Sequence, residues 1–195
     1  KTDMSINFLL RVFKEYRGND AIIWRDQAFS YKWLLDRVEY WSSQLLLEEI
    51  RPGTIVSIEA DFSPNSVALF LSLLGGGTVV VPLTSAQDKQ RNDHMKLAQV
   101  EVAIYLNDND EVSFYRTGVT ANHRLLQRLK KHTTPGLVLF TSGSTGKSKG
   151  IVHDMLRILD KFKVRRNCLR MITFLLFDHI GGINTMLYIL SNGGC

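Results

Sequence analysis

The chain is poor in cysteine. Cys168 and Cys195 are its only two in 195 residues. Two thiols build neither the disulfide framework of a small secreted domain nor a cysteine-rich zinc site. A reducing, cytoplasmic setting is therefore the expectation. The first 30 residues carry charges throughout, so no apolar leader stretch stands there. Internal repeats and low-complexity linkers are also lacking. Residues 62–87 are uncharged, but Gly75, Gly76, Gly77 and Pro82 interrupt them. They read as a helix of about 10 residues, a glycine turn and a short buried strand, not as a span of about 20. No membrane span is expected.

What is present suits a globular domain, or a piece of one. Hydrophobic residues make up 45% and charged residues 22% of the chain, which excludes a disordered composition. The formal charge of +5 is unevenly spread: residues 121–170 carry a net +10 and the remainder a net −5. Such asymmetry points to a surface or site for an anion.

Periodicity gives the architecture. Ser5 is read as the cap of a first helix carrying Ile6, Leu9, Leu10 and Phe13. Residues 21–24 and 28–30 flank a turn and predict a hairpin. Ser30 should cap a long helix with Leu34, Leu35, Val38, Trp41, Leu45 and Leu46 on one face. Strands are predicted at 54–59, 78–81, 102–106, 136–140 and 171–177. Helices are predicted at 64–74, 87–100, 121–132, 154–163 and 180–190. Ile151 and Val152 also read as a strand. This alternation predicts an α/β fold, with a largely parallel sheet flanked by helices.

One loop carries the chemistry. After the apolar strand at 136–140 come Thr141, Ser142, Gly143, Ser144, Thr145, Gly146, Lys147, Ser148, Lys149 and Gly150. Glycines let the backbone approach a ligand, and amides, hydroxyls and ammonium groups converging after a buried strand suit a polyphosphate. A Walker loop would need glycine at position 141 and a helix directly afterwards. Thr141 and the strand-like Ile151 and Val152 disfavour it.

Residues 141–150 resemble the phosphate loop of the adenylate-forming enzymes. That family comprises acyl-CoA synthetases, firefly luciferase and peptide-synthetase adenylation domains. Its loop reads Thr-Ser-Gly-(Ser/Thr)-Thr-Gly-x-Pro-Lys-Gly. Ser148 replaces the usual proline, which removes a rigid residue but no phosphate ligand. The resemblance extends over nearly the whole chain. It includes Phe29-Ser30-Tyr31, Gly53 with Val56-Ser57-Ile58, Pro64-Asn65-Ser66, Val81-Pro82-Leu83, and Phe177-Asp178-His179-Ile180-Gly181-Gly182.

The resemblance implies an AMP-forming acid–thiol ligase of the acyl-CoA synthetase type. A carboxylic acid attacks the α-phosphate of ATP, pyrophosphate leaves, and the thiol of CoA or of a carrier protein takes the acyl group. Mg²⁺ accompanies the ATP, and its protein ligands are unassigned. Thr141, Ser142, Gly143, Ser144, Thr145, Gly146 and Lys149 would hold the β and γ phosphates. His179, Gly181 and Gly182 would form the wall or gate of the acyl pocket. Gly181 and Gly182 have helix packing as an equal alternative, and Asp178 is read as structural or capping.

The family's later Tyr-Gly-x-Thr-Glu block, its ribose-binding aspartate and its C-terminal lysine domain have no counterpart. Residues 1–195 are accordingly expected to be a truncated N-terminal domain, without a complete catalytic set and inactive alone. A homodimer through exposed sheet edges is expected of such a piece. The alternatives are a phosphate- or nucleotide-binding module, or a non-catalytic relative serving as an interaction subunit. The basic run Lys161, Lys163, Arg165, Arg166 and Arg170 reads as a solvated face, and no nucleic-acid partner is expected.

Overall fold

The computed structural model describes residues 5–84, 88–142 and 148–195, with the backbone alone at Asp88 and Ser142. The chain opens with α1 (Asn7–Glu15), the antiparallel hairpin β1 (Asp20–Trp24) and β2 (Gln27–Ser30), and α2 (Tyr31–Leu47). The Ser30 hydroxyl accepts from the Trp33 amide and starts α2 as expected. Leu34, Val38, Trp41 and Leu45 are buried along one face of α2, whereas Leu46 turns outward. Ser5 is not a cap. Its hydroxyl donates to the Leu74 carbonyl at 2.9 Å, and the N-cap position of α1 falls on Ile6.

Next come β3 (Ile55–Glu59), α3 (Pro64–Gly75), β4 (Val79–Leu83), α4 (Asp88–Leu97), β5 (Val102–Leu106) and β6 (Val112–Arg116). These are followed by α5 (Arg124–Lys131), β7 (Gly136–Ser142), β8 (Ser148–Asp154), α6 (Met155–Asp160) and α7 (Ile180–Ser191). The main sheet has six strands in the order β6-β5-β3-β4-β7-β8. Its β5, β3, β4 and β7 pair in parallel, and β6 and β8 close the two edges antiparallel. The largely parallel α/β fold read from the sequence is thus present.

Both faces of this sheet are covered, which explains why β3 and β4 are continuous apolar runs rather than alternating ones. Val56, Ile58, Val80, Leu137 and Leu139 join the larger core with α1, α2, α3 and α7. Their neighbours Ile55, Val79, Val81 and Val138 join a second core with Ala98, Val100 and Leu126. At the start of α3, Ser63 and Ser66 form a capping box ahead of Pro64. Asp110 completes it: Ser63 donates its hydroxyl to Oδ1, and the Asn65 amide donates to Oδ2 at 2.8 Å. Trp41 Nε1 donates to Asn65 Oδ1 at 3.0 Å, so this network also reaches α2.

Three expectations change. Residues 171–177 do not form a strand. Met171 donates its amide to the Cys195 carbonyl, and Cys195 donates to Leu169. That is the bond pattern of a parallel ladder, but no partner continues it among the described residues. Ile172 and Phe174 stand 87% and 82% exposed; an apolar pattern makes a strand only where a neighbour pairs with it. The helix expected at 154–163 is shorter: Asp154 caps it at Met155, and it ends at Asp160, beyond which Phe162 and Lys163 donate three residues back rather than four. Finally, β6 lies where the sequence pattern predicts no strand, returning beside β5 after the polar turn at 107–111. Among the described residues, no helix is long and apolar enough to cross a membrane.

Candidate functional site

The carboxyl ends of β4 and β7, one face of α4 and the turn before α7 converge on one cavity of about 250 Å³, lined in part by Thr84, Arg91, His94, Phe140, Thr141, Ser148 and Asp178. The carboxyl ends of parallel strands are where open α/β sheets bind ligands.

The register of β7 and β8 organises the polyphosphate candidates. Thr141 lies directly opposite Lys149, and Ser142 opposite Ser148. Residues opposite one another on a ladder project to the same face. Side chains ending in a hydroxyl and an ammonium group, both residues exposed, therefore leave one face at the end of the strands; Thr141 lines the cavity and Lys149 does not. Gly143, Ser144, Thr145 and Gly146 lie outside the described residues, as does Lys147. For Ser142 only the backbone is described.

His94, on the last turn of α4, carries no motif that marks it in the sequence. Its ring stacks on Phe140, with centroids 3.9 Å apart and planes 3° from parallel. Nε2 lies 3.0 Å from the Ser148 hydroxyl. Burial lowers its pKa below the usual histidine value, against the opposing pull of the Asp178 and Asp93 carboxylates. One turn earlier, Arg91 donates to Glu59 at 3.1 Å and ties α4 to the end of β3. The i, i+3 spacing of Arg91 and His94 is a sequence signal for a shared helix face, though it does not say what that face meets.

Asp178 bridges two elements. Thr84 Oγ1 donates to its Oδ2 at 2.7 Å, across 94 positions of sequence. Oδ1 is buried without a hydrogen-bond partner among the described residues. The structural reading of Asp178 holds for Oδ2, while Oδ1 is an acceptor with capacity to spare. Ahead of Asp178, Phe177 is fully buried. Its ring meets Phe62 and Phe70 edge-on, at 5.0 and 5.5 Å, which anchors the turn.

The acyl-pocket candidates divide. His179 occupies the N-cap position of α7 without a side-chain cap bond. Its ring is 64% exposed, with Nε2 3.8 Å from Asp178 Oδ1, and it does not line the small cavity. Gly182 is buried by backbone: a Cβ there would stand 2.5 Å from the Leu176 carbonyl oxygen. At Gly181 a Cβ would meet only the end of the Leu175 side chain, at 2.6 Å. Gly182 thus lets the first turn of α7 pack on residues 175 and 176. A second cavity, of about 490 Å³, lies between β1 and α7 among apolar side chains such as Ile22, Val67, Met186 and Leu190. Neither Thr141 nor Lys149 lines it.

Comparison with known proteins adds the lineage. The family model described as AMP-binding enzyme matches residues 9–195. Gramicidin S synthase 2 of Brevibacillus brevis is 27% identical over 153 residues, which is 71% of this chain and 3% of that protein. The fold is similar to the N-terminal subdomain of Klebsiella oxytoca NpsA, solved with 3-hydroxyanthranilyl-AMSN. There the TM-score is 0.75 at 18% identity, covering 98% of this chain and 52% of that one. It is similar too to NpsA-ThdA, an artificially fused adenylation–PCP di-domain from the same organism. That match has a TM-score of 0.75 at 19% identity and covers 98% of this chain and 42% of that one. The chain therefore spans a small part of that synthase and about half of the solved subdomain.

Proposed function

The chain belongs to the AMP-binding enzyme family, and from that premise we propose that it is the N-terminal portion of an enzyme that uses ATP to activate a carboxylic acid. The reaction first makes an acyl-adenylate and then passes the acyl group to a thiol. The observation that carries this reading is the opposition of Thr141 and Lys149 across β7 and β8, beside the strand ends. A cation and a hydroxyl donor on one face fit the terminal phosphates of ATP.

In the first step an oxygen of the substrate carboxylate forms a bond to the α-phosphorus. The bond from that phosphorus to the bridging oxygen breaks, and pyrophosphate leaves with the electron pair. Lys149 and Thr141 hold the β and γ phosphates, orienting the leaving group and stabilising its growing charge. Mg²⁺, when it accompanies the nucleotide, would supply further charge neutralisation. In the second step a thiolate attacks the acyl carbonyl and AMP departs.

For the thiol we favour a carrier protein over CoA. Support comes from the 27% identity to a gramicidin synthase and from the fold shared with an adenylation–PCP fusion. Neither a self-standing phosphate-binding module nor an interaction subunit is favoured by a family match that runs through residues 9–195.

The test is pyrophosphate release by the protein that carries this chain, given ATP, Mg²⁺ and a panel of carboxylic acids. Release that needs both the acid and Lys149 supports the reading. Release without any acid, or undiminished in Lys149→Ala, contradicts it.

A further inference from the structure

We propose that His94 is a positioning residue that fixes the β8 stem of the phosphate-binding turn by holding the hydroxyl of Ser148. This rests on the phosphate-binding reading of Thr141 and Lys149, and it assigns them a support from another element.

The geometry carries it. Ser148 is the first described residue of β8, opposite Ser142 and immediately before Lys149. His94 Nε2 lies 3.0 Å from its hydroxyl, and the stack on Phe140 at 3.9 Å sets the plane of the ring. Phe140 belongs to β7, so one imidazole touches both strands of the stem. Gly150 lies opposite Phe140, and even a Cβ there would only touch the ring edge, at 3.4 Å, so the stack does not depend on the glycine. The helix bearing His94 is itself held, one turn earlier, by the Arg91–Glu59 pair. Burial favours the neutral imidazole, which keeps a lone pair on Nε2 for the Ser148 O–H when Nδ1 carries the proton.

The sequence supplies the reason for such a device. Proline at position 148 would fix its own backbone angle without help. Serine does not, and beyond the ladder pairing with Ser142 its side chain offers one further point of attachment. His94 takes up that attachment and, through the next peptide, sets the start of Lys149. Asp178, whose charge opposes the lowering of the His94 pKa, lines the same cavity.

The test combines backbone amide exchange with pyrophosphate titration, on His94→Phe, Ser148→Ala, the double variant and His94→Gln. His94→Phe keeps an aromatic ring for the stack and removes the hydrogen bond; His94→Gln keeps a hydrogen-bonding group. Loss of one such bond is expected to speed exchange at residues 148–150 by about 5- to 10-fold and weaken pyrophosphate binding to a similar degree. The double variant should be no worse than either single one, and His94→Gln should recover to within about 2-fold of wild type. Thermal midpoints should stay unchanged. Additive effects of the two single variants, or unaltered exchange at 148–150 in Ser148→Ala, overturn the proposal. A wild-type chain that does not bind pyrophosphate overturns the phosphate reading instead, and the exchange measurement still decides whether His94 holds the stem.

Discussion

Thr84 donates its hydroxyl to Asp178 at 2.7 Å and so joins the end of β4 to the turn before α7. The two residues are neighbours only because the sheet brings β4 beside β7 while Phe177 buries the turn before α7. The bond is a hinge pin for the cavity: it sets where the helix begins relative to the strand ends. Thr84→Val should cost about 1–3 kcal/mol, since it leaves both carboxylate oxygens without a hydrogen-bond donor among the described residues. Urea unfolding measures this. Thr84→Ser, which retains the hydroxyl, should lose far less, and equal losses would contradict the assignment.

Gly182 and Gly181 make a sharper pair. A methyl group at the first would face a carbonyl oxygen at 2.5 Å, and at the second the flexible end of a leucine at 2.6 Å. Gly182→Ala should destabilise by about 1–3 kcal/mol, because backbone has to shift. For Gly181→Ala the Leu175 side chain rotates away, and the loss should be well under half as large. Denaturation midpoints of the two variants decide. A reversed order would mean that the glycines do not serve packing of the α7 turn.

The Ser63–Asp110–Asn65 network predicts a second stability centre, away from the cavity. Asp110 accepts from the Ser63 hydroxyl and the Asn65 amide at the start of α3, where a carboxylate also meets the positive end of the helix. Burial nonetheless raises its pKa, against those same hydrogen bonds. Asp110→Ala should cost about 2–3 kcal/mol by urea unfolding. Asp110→Asn should lose less, as it keeps one acceptor.

Much of the fold is legible in the sequence, and the exceptions have physical causes. Ser30 marks the start of α2 because a hydroxyl cap is a local device. The apolar runs of β3 and β4 announce strands covered on both faces. Residues 171–177 carry an equally apolar pattern, yet pairing depends on a partner that no local pattern contains. The half-exposed β6, ending in Tyr115 and Arg116, escapes a pattern reading because its one signal is the turn before it. In the site, Thr141 and Lys149 stand out by residue type and spacing, but their opposition is a property of the ladder. His94 and Thr84 are invisible in the sequence for a like reason. Their partners lie 54 and 94 positions away.

Acid should weaken the fold through two histidines. Burial lowers the pKa of His94 and of His153 below the unfolded value of 6.5. As pH falls through 6.5, the unfolded chain takes up protons before the native one does, so stability declines until the lower native values are passed. The urea midpoint should therefore drop between about pH 7.5 and pH 5.5. His153→Gln should flatten part of that slope. A wild-type midpoint that rises over this interval would contradict the burial argument.

The most direct test of the central claim is calorimetric titration of the 195-residue chain with inorganic pyrophosphate, beside Lys149→Ala and Thr141→Val. The wild type should bind saturably, and binding should be about 10-fold or more weaker in Lys149→Ala and several-fold weaker in Thr141→Val, as befits a charged and a neutral hydrogen-bond donor. Absence of binding, or equal affinity in all three proteins, would contradict it.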